Sequence, residues 1–405
     1  MAPMNLSDAE ALDRADPLAL HRDRFALPGG VIYLDGNSLG ALPRAVAERL
    51  SRTVAEEWGR DLITSWNKHD WIDLPARVGN KLAPLVGAAP GTVIAADSTS
   101  VNIFKLLAAA AAMRPGRNII LTEAGNFPTD LYMSAGLGSL TGHTVRATDL
   151  GDIAADVAVV LVTEVNYRTG ARHDMRALTA RAHAAGALII WDLCHSAGAL
   201  PVDLSAADAD FAVGCGYKYL NGGPGAPAFA YVAPRHLDAI RQPLTGWLGH
   251  AAPFDFAADY HPAAGIDALR VGTPPILSMS ALDTALDIFA GVDLAAVKVK
   301  ADSLFDLFTT EIAARCPSLE LLTPTDPTRR GTQASFRHPE AYAVMQALIA
   351  RGVIGDFRQP DILRFGLTPL YLRYADLWRA AEILADIMTT RAWDRPDFKR
   401  RNKVV

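Results

Sequence analysis

The sequence predicts an α/β protein with a large doubly wound, mostly parallel sheet and a smaller α+β domain. Three short segments, 118–122, 157–163 and 187–191, are almost wholly apolar and lack alternation. Such runs are typical of parallel strands that are covered on both faces. Helical patterns separate them, and this alternation indicates a doubly wound sheet. After about residue 290, amphipathic helices alternate with short strands, which indicates a second domain.

Three parts of the chain follow from this pattern. We predict an N-terminal arm at 1–40 that associates with the small domain, a large α/β domain at 41–289 and a small α+β domain at 290–405. In the arm, residues 7–10 resemble a capping box and so predict a helix start. The length of 405 residues permits several domains with sizeable cores.

Periodicity, helix-capping residues and helix-ending residues place the other elements. The predicted helices are 43–58, 101–112, 174–185, 278–289, 297–314, 341–351 and 376–388. The predicted strands are 31–34, 118–122, 157–163, 187–191, 209–213, 229–232, 333–337, 353–358 and 362–366, the last two forming a pair.

The composition excludes several classes of function. A net charge of −5 argues against general nucleic-acid binding, and the basic run at 399–403 reads as a solvated tail. No apolar run is long enough to span a membrane, and the N-terminus does not resemble a signal peptide. Cys194, Cys215 and Cys316 show no metal-ligand or disulfide spacing. We therefore expect no metal, no membrane partner and a cytoplasmic location.

An acid and a lysine follow neighbouring buried strands. Asp192 ends the strand at 187–191, at the sheet edge where open α/β folds bind ligands. Lys218 follows the strand at 209–213, among small and aromatic residues. A partly desolvated lysine is held in part as the neutral amine that attacks a carbonyl. The pair suits pyridoxal phosphate, because the lysine can hold its aldehyde and the acid its pyridinium N–H. A surface lysine in a glycine-rich loop is the alternative.

Other polar residues lie near the same predicted edge. Ser98 and Thr99 begin a strong helix whose free N–H groups suit a phosphate, although plain N-capping is the better interpretation from spacing alone. His195, three residues after Asp192, can flank a flat ring. Arg364 lies in an apolar strand and needs an anionic partner, for which a structural ion pair is the simpler interpretation. Arg358 and Arg373 are nearby arginines to which we assign no role.

Motifs in a fixed order across most of the chain resemble the kynureninase family, within the fold-type I (aspartate aminotransferase-like) class of pyridoxal phosphate enzymes. Any single motif is weak evidence, whereas the ordered set is specific. The matching segments are 34–40, 126–130, 191–198, 216–221, 246–250 and 272–277.

The resemblance implies roles for individual residues. The implied cofactor-binding residues are Ser98, Thr99, Phe127, Asp130, Thr163, Asp192, His195, Tyr217, Lys218, Trp247 and Thr273. The implied catalytic residues are Lys218, Tyr217 and Asp192. Arg364 becomes the clamp for the substrate α-carboxylate, with Ser38 and Trp66 as further substrate-binding residues. The resemblance also implies a homodimer whose active site lies at the subunit interface, where Trp247 and the Thr273 segment reach the neighbouring subunit's cofactor phosphate.

The implied reaction is hydrolysis of L-kynurenine to anthranilate and L-alanine by cleavage of the Cβ–Cγ bond, in tryptophan catabolism or NAD synthesis. Lys218 would hold the cofactor and move the α-proton. Tyr217 would either donate a proton late in the reaction or only contact the cofactor phosphate, and the sequence leaves both roles open.

Two positions depart from animal members of the family. Trp66 lies where those members carry a histidine, and Thr273 lies where they carry an asparagine. Because both changes resemble bacterial enzymes, we expect 3-hydroxy-L-kynurenine to be converted to 3-hydroxyanthranilate less well than kynurenine is cleaved.

Other functions fit the same machinery less well. A cysteine desulfurase needs a thiolate on a mobile loop, whereas Cys316 lies between a helix and an apolar segment. A non-catalytic pyridoxal-binding module would bind cofactor without turnover. A Rossmann dehydrogenase is disfavoured because no G-x-G-x-x-G follows the first strand.

Overall fold

The computed structural model describes residues 4–151 and 153–402, so the last residue of the predicted basic tail, Lys403, lies outside the described chain. The α-helices are α1 (Leu6–Ala15), α2 (Arg44–Arg52), α3 (Ser65–Lys68), α4 (Leu74–Leu82), α5 (Thr99–Ala112), α6 (Pro128–Thr141), α7 (Met175–Ala184), α8 (Ile276–Ala285), α9 (Leu294–Arg315), α10 (Ala341–Ala350), α11 (Tyr374–Thr390) and α12 (Pro396–Lys399).

The β-strands cover the segments where apolar and β-branched residues concentrate. They are β1 (Ile32–Tyr33), β2 (Val93–Ala95), β3 (Ile119–Glu123), β4 (Thr144–Thr148), β5 (Val157–Thr163), β6 (Leu188–Asp192), β7 (Phe211–Cys215), β8 (Ala228–Val232), β9 (Glu320–Leu321), β10 (Gln333–Arg337), β11 (Val353–Ile354), β12 (Asp356–Arg358) and β13 (Ile362–Gly366).

Residue contacts divide the chain into two units. Unit 1 consists of Met1–Ala45, Tyr167–Arg172 and Ile288–Val405, and unit 2 consists of Val46–Asn166 and His173–Asp287. The short segment 167–172 joins unit 1 through backbone hydrogen bonds, such as the one that the Arg172 N–H donates to the Arg329 carbonyl at 2.8 Å.

Unit 2 is built on a seven-stranded sheet, within the part of the chain that the structure describes, in the order β2-β8-β7-β6-β5-β3-β4. Strands β3 to β7 pair in parallel, and β8 is antiparallel to both β7 and β2. The prediction of an α/β fold with a mostly parallel sheet is therefore confirmed. Parallel pairing brings the carboxyl ends of β3, β5, β6 and β7 to one edge of the sheet.

The core of unit 2 explains why this edge is held in place. All seven residues of β5 are buried, and Val159 and Leu161 pack in one cluster with Ile190 of β6. Helix α5 covers the cluster with Ile103 and Leu107, neither of which is exposed. Burying one such aliphatic side chain contributes about 1.5–3 kcal/mol. The strand ends are thus fixed by apolar packing beneath them.

Unit 1 contains a four-stranded antiparallel sheet, among the described residues, in the order β12-β13-β10-β9. Phe365 of β13 packs edge-on against Phe308 of α9, with ring centroids 5.2 Å apart, and both rings contact Phe336 of β10. Edge-to-face aromatic pairs add stabilisation beyond the buried area. This cluster fixes β13, the strand that carries Arg364.

Several predicted bounds differ from the structure. The first helix is capped by Asn5, whose side chain accepts from the Asp8 N–H, and not by Ser7; asparagine caps as well as serine does. The helix predicted to reach Trp58 ends as α2, and a π-helical turn, Thr53–Trp58, continues it. Of the segment 353–358, only β12 pairs with β13, while β11 pairs with β1 in unit 1. Seven elements were not predicted: β2, β4, β9, α3, α4, α6 and α12.

Candidate active site

Unit 2 places a group of polar side chains at the carboxyl edge of its sheet. Thr163 ends β5, and Asp192 ends β6 directly opposite it in the strand register. Lys218 follows β7 by three residues. The Pro128–Thr141 helix α6 begins after β3, with Phe127 as its N-cap. Neighbouring strands thus bring these side chains to one place. We call the unit 2 residues named in this paragraph and the next three the cofactor cluster.

Lys218 is half-buried, and its side chain is bounded by rings. Its Nζ lies 3.1 Å from His195 Nε2. The same nitrogen lies 5.7 Å from the ring centroid of Phe127 and 5.9 Å from that of Tyr217. His195 is buried, while Phe127 is 36% exposed. The amine is therefore held among flat groups and can reach a ligand placed beside them.

Two buried carboxyl groups, Asp130 and Asp192, lie in the same cluster. Asp192 Oδ1 accepts a hydrogen bond from the Cys194 N–H at 2.7 Å. Asp130 is wholly buried; its Oδ2 lies 3.2 Å from the Thr163 hydroxyl, and its Oδ1 has no hydrogen-bond partner. Burial raises the pKa of both acids, and the charge of Asp192 raises the pKa of Asp130 further. Among the described residues, neither acid forms an ion pair within 4 Å.

Helix α5 adds a set of donors. Ser98 is its N-cap and accepts from the Val101 N–H at 3.4 Å. Thr99 is its first residue, with Oγ1 3.7 Å from Cys194 Sγ. The first N–H groups of a helix have no partner within the helix and attract anions. Both predicted roles, N-cap and phosphate contact, are therefore compatible with the geometry.

Tyr217 is half-buried, and burial is the main reason that the pKa of its hydroxyl is raised. The phenol is consequently protonated at neutral pH.

Asn126, which was not predicted as a site residue by itself, donates to Thr122 Oγ1 at 3.0 Å and accepts from the Phe127 N–H at 2.8 Å. Its side chain also accepts from the Thr163 hydroxyl. Its position at the start of the motif at 126–130 was the feature of the sequence that could have identified Asn126 as a site residue.

Trp66 lies in the short helix α3 of unit 2. Its ring meets the edge of Trp71, with centroids 5.9 Å apart. Trp71 donates from Nε1 to the buried Glu57 carboxylate at 3.0 Å. Trp66 is therefore oriented by a partner that is itself fixed. The described contacts do not link Trp66 to the cofactor cluster.

Trp247 and Thr273 lie apart from the cofactor cluster in the described contacts of the single chain. Trp247 is 41% exposed and forms an aromatic patch with Phe254 and Phe256, which are 61% and 78% exposed. Its ring lies 5.7 Å from that of Phe254 and 6.5 Å from that of Phe256. Thr273 is exposed. Their predicted contact with a neighbouring subunit stays a prediction.

Unit 1 holds Arg364 and Ser38, two of the predicted substrate-binding residues, in direct contact. Arg364 Nη2 donates to Ser38 Oγ at 2.8 Å and pairs with Asp356 Oδ2 at 2.5 Å. Its Nη1 donates to the Tyr167 carbonyl at 2.7 Å. The Ser38 hydroxyl donates in turn to Asp356 Oδ2 at 2.6 Å. Arg364 thus has the protein anion that its burial requires.

Asp356 and Arg358 are functional candidates that the sequence reading missed. Arg358 Nη2 lies 2.7 Å from Asp356 Oδ2, so this arginine, assigned no role from the sequence, belongs to the same group. Asp356 lies directly opposite Arg364 in the β12–β13 register. Pairing the two predicted strands residue by residue would have revealed it. Arg373, in contrast, pairs with Asp376.

The cofactor cluster fits pyridoxal phosphate. The buried Asp130 oxygen without a partner, beside Asp192, calls for a cationic or N–H donor such as a pyridinium. The amine of Lys218 suits an aldehyde, the rings beside it suit a flat heterocycle, and the first turn of α5 suits a phosphate. Across the described residues, no group of three or more His, Cys, Asp or Glu side chains is placed to hold a metal ion. No described helix is long and apolar enough to cross a membrane.

Comparison with solved structures identifies the fold. The structure matches cysteine desulfurase CsdA from Escherichia coli with a TM-score of 0.76 at 21% identity, over 93% of this chain and 98% of that one. It matches a mutant of C-DES with glycine covalently linked to its PLP cofactor with a TM-score of 0.77 at 18% identity, over 90% and 99%. The fold is that of the fold-type I class of pyridoxal phosphate enzymes.

Comparison of sequences identifies the family within that class. The kynureninase of Burkholderia pseudomallei (strain 1106a) is 53% identical over 411 residues, which cover 98% of this chain and 99% of that protein. The family profile of the kynureninase C-terminal domain matches residues 297–384. The chain therefore belongs to the kynureninase family, as its ordered motifs predicted.

Proposed function

We propose that this chain is a pyridoxal phosphate-dependent hydrolase that converts L-kynurenine and water to anthranilate and L-alanine, in tryptophan catabolism. The observation that carries the proposal is the 53% identity to a kynureninase over nearly the whole of both chains. The cofactor cluster supports the cofactor independently, because it combines a reachable lysine with buried acids that lack ionic partners.

We assign the cofactor to residues of unit 2. Lys218 would hold its aldehyde, Asp192 and Asp130 its ring nitrogen, His195 and Phe127 its ring, and Ser98, Thr99 and Thr163 further polar atoms. When bound, this cofactor would withdraw electrons from the substrate carbon that bears the amino group. A raised pKa in both acids favours one shared proton on the pair, which still leaves a carboxylate for the ring N–H.

Lys218 is the residue that moves the substrate α-proton in this proposal. The described hydrogen-bond partner of its Nζ is an imidazole nitrogen, His195 Nε2, at 3.1 Å, and not a carboxylate. An imidazole can accept or donate, so it can accompany either protonation state of the amine. Lys218 can therefore act as base and then as acid at one site.

Tyr217 retains both roles that the sequence left open. The raised pKa keeps its hydroxyl protonated, so the Oη proton is available either for a phosphate oxygen or for the carbon that becomes the alanine methyl group. A Tyr217→Phe variant separates the roles: loss of a phosphate contact weakens cofactor binding, whereas loss of a donor slows turnover of the loaded enzyme.

We assign the substrate carboxylate to Arg364 and Ser38 of unit 1, and the aromatic part of the substrate to the neighbourhood of Trp66. A guanidinium binds a carboxylate through two parallel hydrogen bonds. Residues 1–40, 41–289 and 290–405 stay our proposed arm, large domain and small domain.

A cysteine desulfurase is the second candidate, because structural neighbours carry that name. At 16–21% identity, the similarity to those neighbours supports the fold and not the function. Burial raises the pKa of Cys316 to about 11, and Cys194 and Cys215 are also buried. A buried thiol with a raised pKa, such as that of Cys316, is a poor nucleophile. The non-catalytic binding module is disfavoured by the identity to an enzyme family.

We also propose a homodimer and a cytoplasmic location. The aromatic patch of Trp247, Phe254 and Phe256 is apolar surface that a second copy would cover. Three free cysteines suit a reducing compartment. Light scattering of the purified protein tests the dimer, and a monomeric mass in the cofactor-loaded state would contradict it.

The proposed function is tested by product analysis after mixing the cofactor-loaded protein with L-kynurenine. We expect equal amounts of anthranilate and alanine from the wild type and neither from Lys218→Ala. Lys399→Ala, which removes an exposed lysine of α12, is the matched control and should keep full turnover. A cofactor-loaded wild type that forms no anthranilate would contradict the assignment.

A further inference from the structure

The arginines of the proposed carboxylate site are already balanced by acidic side chains of the protein. Arg364 and Arg358 both lie within ion-pair distance of Asp356 Oδ2, at 2.5 and 2.7 Å. Asp35 belongs to the same group. When the Asn37 side-chain amide is turned so that both of its polar atoms are satisfied, its Nδ2 donates to Asp35 Oδ1 at 3.3 Å and its Oδ1 accepts from Arg364 Nε at 3.1 Å. Two positive and two negative side chains therefore balance.

This balanced group, which we call the carboxylate clamp, is largely withdrawn from solvent. Arg364 is 1% exposed, Asp356 is 3% exposed and Asn37 is fully buried. Asp356 Oδ1 has no hydrogen-bond partner. A substrate carboxylate that binds Arg364 would give the clamp a net charge of −1. Because an unbalanced charge in a buried site is costly, either binding is weak or one acid takes up a proton.

The surroundings of Asp35 favour proton uptake. Burial and the charge of Asp356 raise the pKa of Asp35 to about 7, while the Ser38 hydroxyl and the two arginines act in the opposite direction. The titratable and charged side chains that act on the acids are Tyr33, Arg358 and Arg364, while Tyr167 acts on Arg358 and accepts from Arg364 through its backbone carbonyl. Burial raises the pKa of the Tyr33 hydroxyl, so this phenol is neutral at physiological pH and the carboxyl pair is the part of the group that responds.

We propose that Asp35 and Asp356 are positioning residues for the Arg364 clamp, and that one proton enters this carboxyl pair when the substrate carboxylate binds. The inference rests on the proposed function, because it takes Arg364 as the carboxylate ligand. Asp356 then remains paired with Arg358 while Arg364 turns its donors to the substrate. The protonated acid donates a hydrogen bond where two carboxylates would otherwise repel each other.

The proton can be counted by calorimetry on the cofactor-loaded protein. The probe is 4-(2-aminophenyl)-4-oxobutanoate, which is kynurenine without its α-amino group, so that no amine proton enters the balance. Binding is measured at pH 6 and pH 8 in buffers of different ionisation enthalpy. The variants are Asp35→Asn and Asp356→Asn. Asp302→Asn is the matched control, because Asp302 also pairs with an arginine that is 1% exposed, Arg330.

We expect the wild type to take up close to one proton at pH 8 and much less at pH 6. Its affinity should fall about tenfold from pH 6 to pH 8, because the acid lies about one unit below the higher pH. Asp35→Asn should abolish the difference in proton uptake and in affinity between pH 6 and pH 8. At pH 8 it should bind the probe about tenfold more tightly than the wild type does. Asp302→Asn should behave as the wild type does.

Unchanged proton uptake in both Asp35→Asn and Asp356→Asn would overturn the inference while leaving the proposed function intact. Asp356→Asn supplies the same test if Asp35→Asn does not fold; it should lose the proton uptake and also bind more weakly, since Arg364 loses its orienting partner. A wild type that holds cofactor but does not bind the probe would overturn the proposed substrate and this inference together.

Discussion

Two regions of this chain bury acidic side chains, and they treat them in opposite ways. In unit 2, Asp130 and Asp192 have no ion-pair partner within 4 Å among the described residues, and one Asp130 oxygen lacks any hydrogen bond. In unit 1, Asp356 contacts two arginines and a serine hydroxyl. The acids of the first region therefore lack a balancing charge without a ligand, whereas Asp356 has its balancing charges within the protein, although its Oδ1 also lacks a hydrogen bond.

The difference indicates two modes of ligand recognition. A site with unpaired buried acids has given up folding free energy that a cationic ring or an N–H donor can restore on binding. A site with paired charges costs little to keep, but its ligand must compete with an internal anion. We therefore expect unit 2 to depend on its cofactor for stability and unit 1 to regulate how readily the substrate binds.

The largest expected effect on stability follows from removing the Asp356 carboxylate. Asp356→Ala leaves a buried arginine without its anion and should lower the free energy of unfolding by about 3–5 kcal/mol. Asp192→Asn removes a buried charge that has no ionic partner, so the cofactor-free protein should change by less than about 1 kcal/mol. Urea unfolding of the cofactor-free variants measures both. Equal losses would show that the two acids are equally well compensated.

Cofactor affinity should show the reverse order. Asp192→Asn removes a charged acceptor for the ring N–H, a loss of about 1.5–3 kcal/mol, which corresponds to about ten- to a hundredfold weaker cofactor binding. Asp356→Asn should leave cofactor affinity unchanged. Equilibrium titration of cofactor-free protein, followed by absorbance, measures both constants. Weakening by Asp356→Asn alone would reverse our assignment of the two regions.

Asp210 is a buried acid of unit 2 that has ionic partners. It therefore tests whether such partners reverse the rise in pKa that burial causes. Asp210 is buried just before β7, yet His236, His183 and Arg235 hold its pKa at about 2. Since this pKa lies below the unfolded value of 3.8, the stabilisation is full above about pH 5 and is lost as the pH falls through 3.8 toward 2. We expect a loss of about 2 kcal/mol over that range.

Asp210→Asn should flatten this acid-induced loss, measured by urea unfolding between pH 4 and pH 2.5. Asp394→Asn, an exposed acid with its own cationic neighbours, is the control. For Asp130 and Asp192 the pH dependence of stability has the opposite sign. Their raised pKa makes the cofactor-free protein less stable as the pH rises above 3.8. An Asp210→Asn profile identical to that of the wild type would remove Asp210 from this account.

The smallest expected effect concerns the ring of the substrate. We expect kcat/KM for L-kynurenine to exceed that for 3-hydroxy-L-kynurenine by about tenfold, the scale of one added hydroxyl in an apolar pocket. Trp66→His should narrow the ratio, while Trp393→His, a tryptophan of unit 1 outside the proposed sites, should not. A wild-type preference for the hydroxylated substrate would contradict the role of Trp66.

Much of the fold was readable from local pattern. Apolar runs predicted β3, β5, β6 and β7, and strand ends predicted that Asp192 and Lys218 would lie at one sheet edge. The prediction worked because burial on both faces leaves a strong local signal. The signal was weak for β4, whose residues are mostly exposed or half-buried, and for β2, which is only three residues long. Short or exposed strands carry too little pattern to be recognised.

The sequence by itself determined the fold class, the family and the residue types at the cofactor cluster, because these depend on motifs that are contiguous in the chain. Only the tertiary structure decided what those residues contact. It paired Arg364 with Asp356 and brought Asp35 to them through Asn37, more than 300 positions away in the chain. Such pairings depend on strand register and on the packing of distant segments, and no local pattern records them.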